Sequence, residues 1–180
     1  MNTATKNLEN DHIHILRLID VMEKIKKTDT PDCSDLEAVV YLIRNYADGF
    51  HHGKEERIFF PALELKGFSP HQGPVAVMLS EHIQGRNFVK GMAENIALYK
   101  KGALPALEQV FINMTDYVDL LRSHISKENN ILFRMADRVL SKEDHEALLN
   151  SYASVTPVTE NGGGIPEYIS DIERLEAKYK

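Results

Sequence analysis

The feature that most constrains this chain is a repeated His-x-x-x-Glu spacing, His51 with Glu55 and His124 with Glu128. On a helix, residues four apart lie one turn above the other, with Cβ atoms about 5–6 Å apart. Each pair can therefore bring an imidazole nitrogen and a carboxylate oxygen to one point. Two such points can meet only if two helices face each other, so the flanking sequence must read as long amphipathic helices. It does.

Over residues 8–26, Leu8, Ile15, Leu16, Ile19 and Met22 recur at three- and four-residue steps, the period of a helix. His12 lies within that stripe, while His14, Val21 and Ile25 fall on the opposite side. Pro31 ends the segment. Ser34-Asp35-Leu36-Glu37 has capping-box spacing, with Ser34 as N-cap, and opens a second helix through at least Phe60. Its buried stripe is Leu36, Val40, Ile43, Ala47, Ile58 and Ala62. At 100° per residue His51 falls near the centre of this stripe and Glu55 about 40° off it, whereas His52 and Glu56 fall roughly 100–140° away. The period thus selects His51/Glu55 as the inward pair. It sends His52, Lys54 and Glu56 toward the solvated face, with Glu56 able to support a ligand from behind.

Gly73-Pro74 starts a third helix, since proline is tolerated in a first turn. His82 sits within its stripe of Val75, Met78, Leu79, Val89, Ala93 and Ile96, with Arg86 one turn on and also inward; Gly102 is placed to end it. Pro105 begins a fourth helix, in which Val110, Tyr117, Leu120, Leu121, Ile131 and Met135 share a face with His124 and Glu128. Ser141 is the N-cap of a shorter helix, residues 156–164 are polar with three consecutive glycines, and a last short helix follows. The expected fold is all-α, an up-down four-helix bundle with short additional C-terminal helices. Its expected division is a bundle over residues 1–155, then a flexible connector and C-terminal helix over 156–180.

The inward polar residues are then His12, His51, Glu55, His82, His124 and Glu128. Buried carboxylates are costly unless paired, hydrogen-bonded or bound to metal. Imidazole with carboxylate and no thiolate suits iron, zinc, manganese or copper over calcium. Six ligands converging from four helices, two of them able to bridge, point to a pair of ions. No acid or base outside this set is singled out; Tyr117, two turns before His124, is the nearest candidate donor. A net charge of -6 argues against nucleic acid and anionic membranes as partners. No apolar run reaches the length of a membrane span, and the first residues carry no apolar targeting segment. The single cysteine, Cys33, fits a reducing, cytoplasmic setting.

These residues resemble the hemerythrin-like, HHE cation-binding family. The resemblance runs over about residues 8 to 140 and rests on His12, the run His51-His52-Gly53-Lys54-Glu55-Glu56, Glu81-His82 with Gly85-Arg86, and His124-Ile125-Ser126-Lys127-Glu128. It implies two non-haem iron ions, bridged by Glu55 and Glu128, with His12, His51, His82 and His124 as terminal ligands. Oxygen-carrying members resemble His-x-x-x-His on the third helix and His-x-x-x-x-Asp on the fourth; this chain has Arg86 and Glu128 instead. That departure turns the expectation from reversible oxygen carriage toward binding or reaction with oxygen, nitric oxide or peroxide, with a protein as electron donor. The alternatives are an iron store, an iron or redox sensor, and a structural site filled by zinc or manganese.

Overall fold

The computed structural model describes residues 3–159 and 161–180. Met1 and Asn2, where the expected first unit begins, and Glu160, within the expected connector, lie outside the described residues. The described residues form six helices: α1 (Ala4–Ile25), α2 (33–64), α3 (Pro74–Lys100), α4 (106–139), α5 (Lys142–Tyr152) and α6 (Ile165–Lys178). Among the described residues there is no strand. Neighbouring helices α3 and α4 pack along much of their lengths, α2 lies against α3, and α1 touches α4, α5 and α6.

The punctuation acts largely as the sequence implies. Gly73 takes a φ of 77° ahead of Pro74, and Gly102 a φ of 93° after α3, conformations open to a residue without Cβ. Ser141 and Asp144 close a reciprocal capping box at α5. The box expected at Ser34 does not form. The helix begins two residues earlier, with Asp32 as N-cap and no side-chain cap bond. Asp35 is drawn into a buried cluster with α6, and Glu37 reaches out to Lys100.

Two of the long helices are not regular. α2 winds with wider, i→i+5 bonded turns over Ile43–His52 and Glu55–Phe59, and α4 does so over Glu128–Leu132. Each wide turn adds a residue and slips the inward face by one position. At the end of the second wide turn of α2 and beyond it, Phe59 and Leu63 are fully buried where Ile58 and Ala62 were expected. In α4, Leu132 and Ala136 are buried while Ile131 and Met135 face solvent.

α6 produces a second difference. Its buried Tyr168, Ile172 and Leu175 lie in one core cluster with α1 and α2. The face of α1 opposite the His12 stripe is therefore covered, and Val21 and Ile25 are fully buried. One apolar cluster holds Ile15–Ile25, Leu36–Phe50 and Val89–Ile96 with parts of α4 and α6. The other holds Leu8, Phe59, Phe60, Met78, Leu132 and Phe133. Between them, on α1, α2, α3 and α4, lies a layer of buried polar side chains.

Candidate metal centre

That layer contains His12, His51, His52, Glu55, His82, His124 and Glu128, none more than 6% exposed. All six residues singled out in the sequence are brought together, and His52 joins them. The regular-helix count had turned His52 outward. The wide turn that ends at His52 rotates it back, so that successive residues of α2 both face the layer.

The five imidazoles share one orientation. His12 donates from Nδ1 to Asn129 Oδ1 at 2.8 Å. His51 donates to Asp11 at 3.2 Å, His52 to Asp48 at 3.2 Å, His82 to Glu56 at 2.7 Å and His124 to Glu81 at 3.0 Å. An acceptor on Nδ1 places the proton there and leaves Nε2 as a bare lone pair. These bare nitrogens converge: His12 and His51 Nε2 are 2.9 Å apart, and His82 and His124 Nε2 are 3.2 Å apart. Lone pairs so close repel unless a cation stands between them.

The two carboxylates complete the set. Glu55 places Oε1 3.5 Å from His51 Nε2 and Oε2 3.5 Å from His82 Nε2, so it spans both histidine groups. Glu128 Oε2 lies 3.2 Å from His12 Nε2 and 3.3 Å from His124 Nε2. None of the four carboxylate oxygens receives a hydrogen bond, and neither does His52 Nε2. Buried acceptors left in this way are costly, and metal coordination satisfies them all at once. The side chains form two four-residue groups able to hold an ion, His12/His51/Glu55/Glu128 (position A) and His52/Glu55/His82/His124 (position B). The donor set, nitrogen and carboxylate oxygen without sulfur, fits iron.

Electrostatics agree with the geometry. Burial pushes the imidazoles of His51 and His52 well below their ordinary range, so both stay neutral, the form in which an imidazole can bind a metal. Burial, with the Glu128 charge beside it, pushes the Glu55 carboxyl well up. The carboxylates behind the imidazoles are balanced by cations: Lys54 on Asp11, Arg86 on both Asp48 and Glu56, and Lys127 on Glu81. Lys54, expected in solvent, is 3% exposed and lies 4.2 Å from the Phe50 ring centroid. Arg86, expected to point inward, is at the surface with its guanidinium over the site. His14 is half-buried between Arg17 and Tyr46 and takes no part.

A cavity of about 110 Å³ adjoins position B. Its wall includes His52, His82, His124, Tyr117, Val89 and Arg86. At about 30 Å³ for each water-sized molecule, it has room for a diatomic or a peroxide but not for a drug-sized ligand.

The sequence profile of the hemerythrin HHE cation-binding domain matches residues 3–136. Among curated proteins, an iron-sulfur cluster repair protein, YtfE, of Yersinia pseudotuberculosis is 29% identical over 131 residues, covering 67% of this chain and 57% of its own length. A probable iron-sulfur cluster repair protein of Haemophilus influenzae is 30% identical over 132 residues, covering 70% of this chain and 57% of its own. The chain thus spans little more than half the length of these curated relatives. No solved structure matches it.

Proposed function

Since the chain belongs to the hemerythrin HHE cation-binding domain family, we propose that it is a non-haem di-iron protein that binds or reacts with a small ligand, oxygen, nitric oxide or peroxide. His12 and His51 hold one ion at position A; His52, His82 and His124 hold the other at position B; Glu55 and Glu128 each reach both. One observation carries this reading above the rest. Five imidazoles, each anchored through Nδ1, aim bare Nε2 atoms at carboxylate oxygens that receive no hydrogen bond. Two ferrous ions so placed supply electrons in pairs and a coordination position for a small ligand.

The chain's own residues set the conditions for that chemistry. Asp11, Asp48, Glu56 and Glu81 orient four imidazoles and raise their basicity, which favours the higher charge state of a bound metal. Val89, Leu121 and Gly85 keep the cavity wall beside position B largely apolar, which favours a neutral ligand over a hydrated ion. The helices that carry the ligands are read as an up-down four-helix bundle within residues 1–155, with 156–180 appended. No helix among the described residues is long and apolar enough to cross a membrane. A cytoplasmic setting, supported by the single cysteine, and an electron-donor protein as partner complete the reading.

The relatives' names favour a second reading, in which the iron is held for transfer to a damaged iron-sulfur centre or its occupancy is sensed. Metal analysis of anaerobically prepared protein, with absorption spectra before and after air, is the primary test. About two irons per chain and new near-ultraviolet bands on oxidation support the di-iron reading; one zinc and a silent spectrum remove it. Spectral change with nitric oxide or peroxide then favours ligand chemistry. Loss of iron to an apo iron-sulfur protein favours transfer.

A further inference from the structure

Positions A and B differ in what separates them from water. Behind A, His12 stacks on Phe133 with centroids 5.7 Å apart, and Phe59 meets Phe133 edge-on at 5.6 Å. Both phenylalanines are fully buried, and the Asp11–Lys54 pair is closed over by Phe50 and Tyr152. The cavity at B touches none of His12, His51 or Glu128. From B outward run two partly exposed carboxylates, Glu56 and Asp48, with side chains 27% and 30% exposed, against 12% for Asp11 behind A. A divalent cation crosses aromatic walls at high cost but can pass from one carboxylate to the next. The Arg86 guanidinium engages both of those carboxylates, at 2.7 Å from Asp48 and 2.7 Å from Glu56, and so ties α3 to α2 across the path.

We propose that the two metal positions exchange at different rates, that the ion at B is the deliverable one, and that Arg86 latches its route. This rests on the two-ion reading above. The ion at A stays as the fixed half of the centre and keeps Glu55 in place. The ion at B leaves past His82 and Glu56 once the guanidinium swings away. Arg86 is thus a positioning residue that sets how fast iron is handed over, and the iron leaves as Fe²⁺ without redox change.

The test follows iron release from anaerobic, ferrous-loaded full-length protein into ferrozine, in wild type, Arg86→Gln and Arg86→Lys. The wild type releases its iron in two phases, about half in each. Arg86→Gln speeds the fast phase roughly tenfold, the factor that a barrier lower by about 1.4 kcal/mol produces, and leaves the slow phase unchanged. Arg86→Lys, which restores a cation, recovers much of the wild-type rate. Circular dichroism of the same samples shows whether the fold is kept. A single phase for both irons overturns the inference while the di-iron reading stands. Equal acceleration of both phases overturns the role of Arg86, since general loosening does that. Fewer than two irons in the starting protein removes the parent reading and the inference together.

Discussion

His52 and His82 stack face to face, with ring centroids 3.8 Å apart and planes 16° from parallel. The stack locks two proposed ligands from different helices into one unit, each ring held from behind by its own carboxylate, Asp48 or Glu56. His52→Ala therefore removes one ligand and unfixes another. Iron content is expected to fall to about one per chain in His52→Ala, as in His82→Ala, while His14→Ala keeps both. Plasma emission analysis of the three variants checks this. Full iron in His52→Ala would remove His52 from position B.

The miss at His52 shows where a sequence stops being readable. His12, His51, His82 and His124, with Glu55 and Glu128, were legible because apolar residues around them keep the helical period. That period assumes 100° per residue, and the wide turns at Ile43–His52, Glu55–Phe59 and Glu128–Leu132 break it locally. No residue type announces such a turn, so His52, Phe59, Leu63 and Leu132 all came out one position wrong. Among the carboxylates behind the imidazoles, Glu56 was read as a support and does meet His82, but Asp11 and Glu81 were hidden for another reason. Asp11 meets His51 across 40 residues of chain and Glu81 meets His124 across 43, pairings that only the tertiary fold creates. Val21 and Ile25 fell off the His12 stripe, and what packs against that second face of α1 is α6, which nothing in the local period of α1 reveals.

Glu56→Gln and Glu81→Gln test those supports. Each leaves an amide near the imidazole but removes the charge that raises its basicity. Such changes typically weaken metal binding 10–100-fold. Competition titration against a chelator of known affinity is expected to show that loss for the more weakly held iron, with an unchanged helical circular dichroism signal. An affinity within twofold of wild type in both would deny these carboxylates a tuning role.

Asp35 ties α6 to α2. It is 2% exposed and receives hydrogen bonds from Arg174, Lys178 and the Tyr179 hydroxyl. Burial pushes its carboxyl up, but these three donors outweigh burial and hold it below the ordinary range. A depressed carboxylate contributes stability that is present above its unfolded value of about 3.9 and is lost as pH falls through the lower folded value. Docking of α6 should therefore weaken only in strong acid, below about pH 4. Asp35→Asn should cost about 1–3 kcal/mol at neutral pH and expose residues 153–164 to protease. Melting curves and limited proteolysis between pH 3 and 7 read both effects.

Glu55 should trade stability for metal in the opposite sense. Its carboxyl is fully buried, receives no hydrogen bond and is pushed well up by burial and by Glu128. A raised folded value means that the fold holds this proton more tightly than the unfolded chain does. The associated stability is full below the unfolded value of about 4.3 and is lost as pH rises through the folded value. In protein stripped of metal, ionising Glu55 is then a cost that iron repays by coordination and proton release, so iron affinity should climb with pH. Glu55→Gln removes the charge and keeps the shape. A neutral amide carries no ionisation cost in the buried site, so the stripped variant should melt above stripped wild type at pH 8 while failing to hold two irons. A stripped variant that melts lower would mean that Glu55 is held by contacts of its own rather than reserved for the metal.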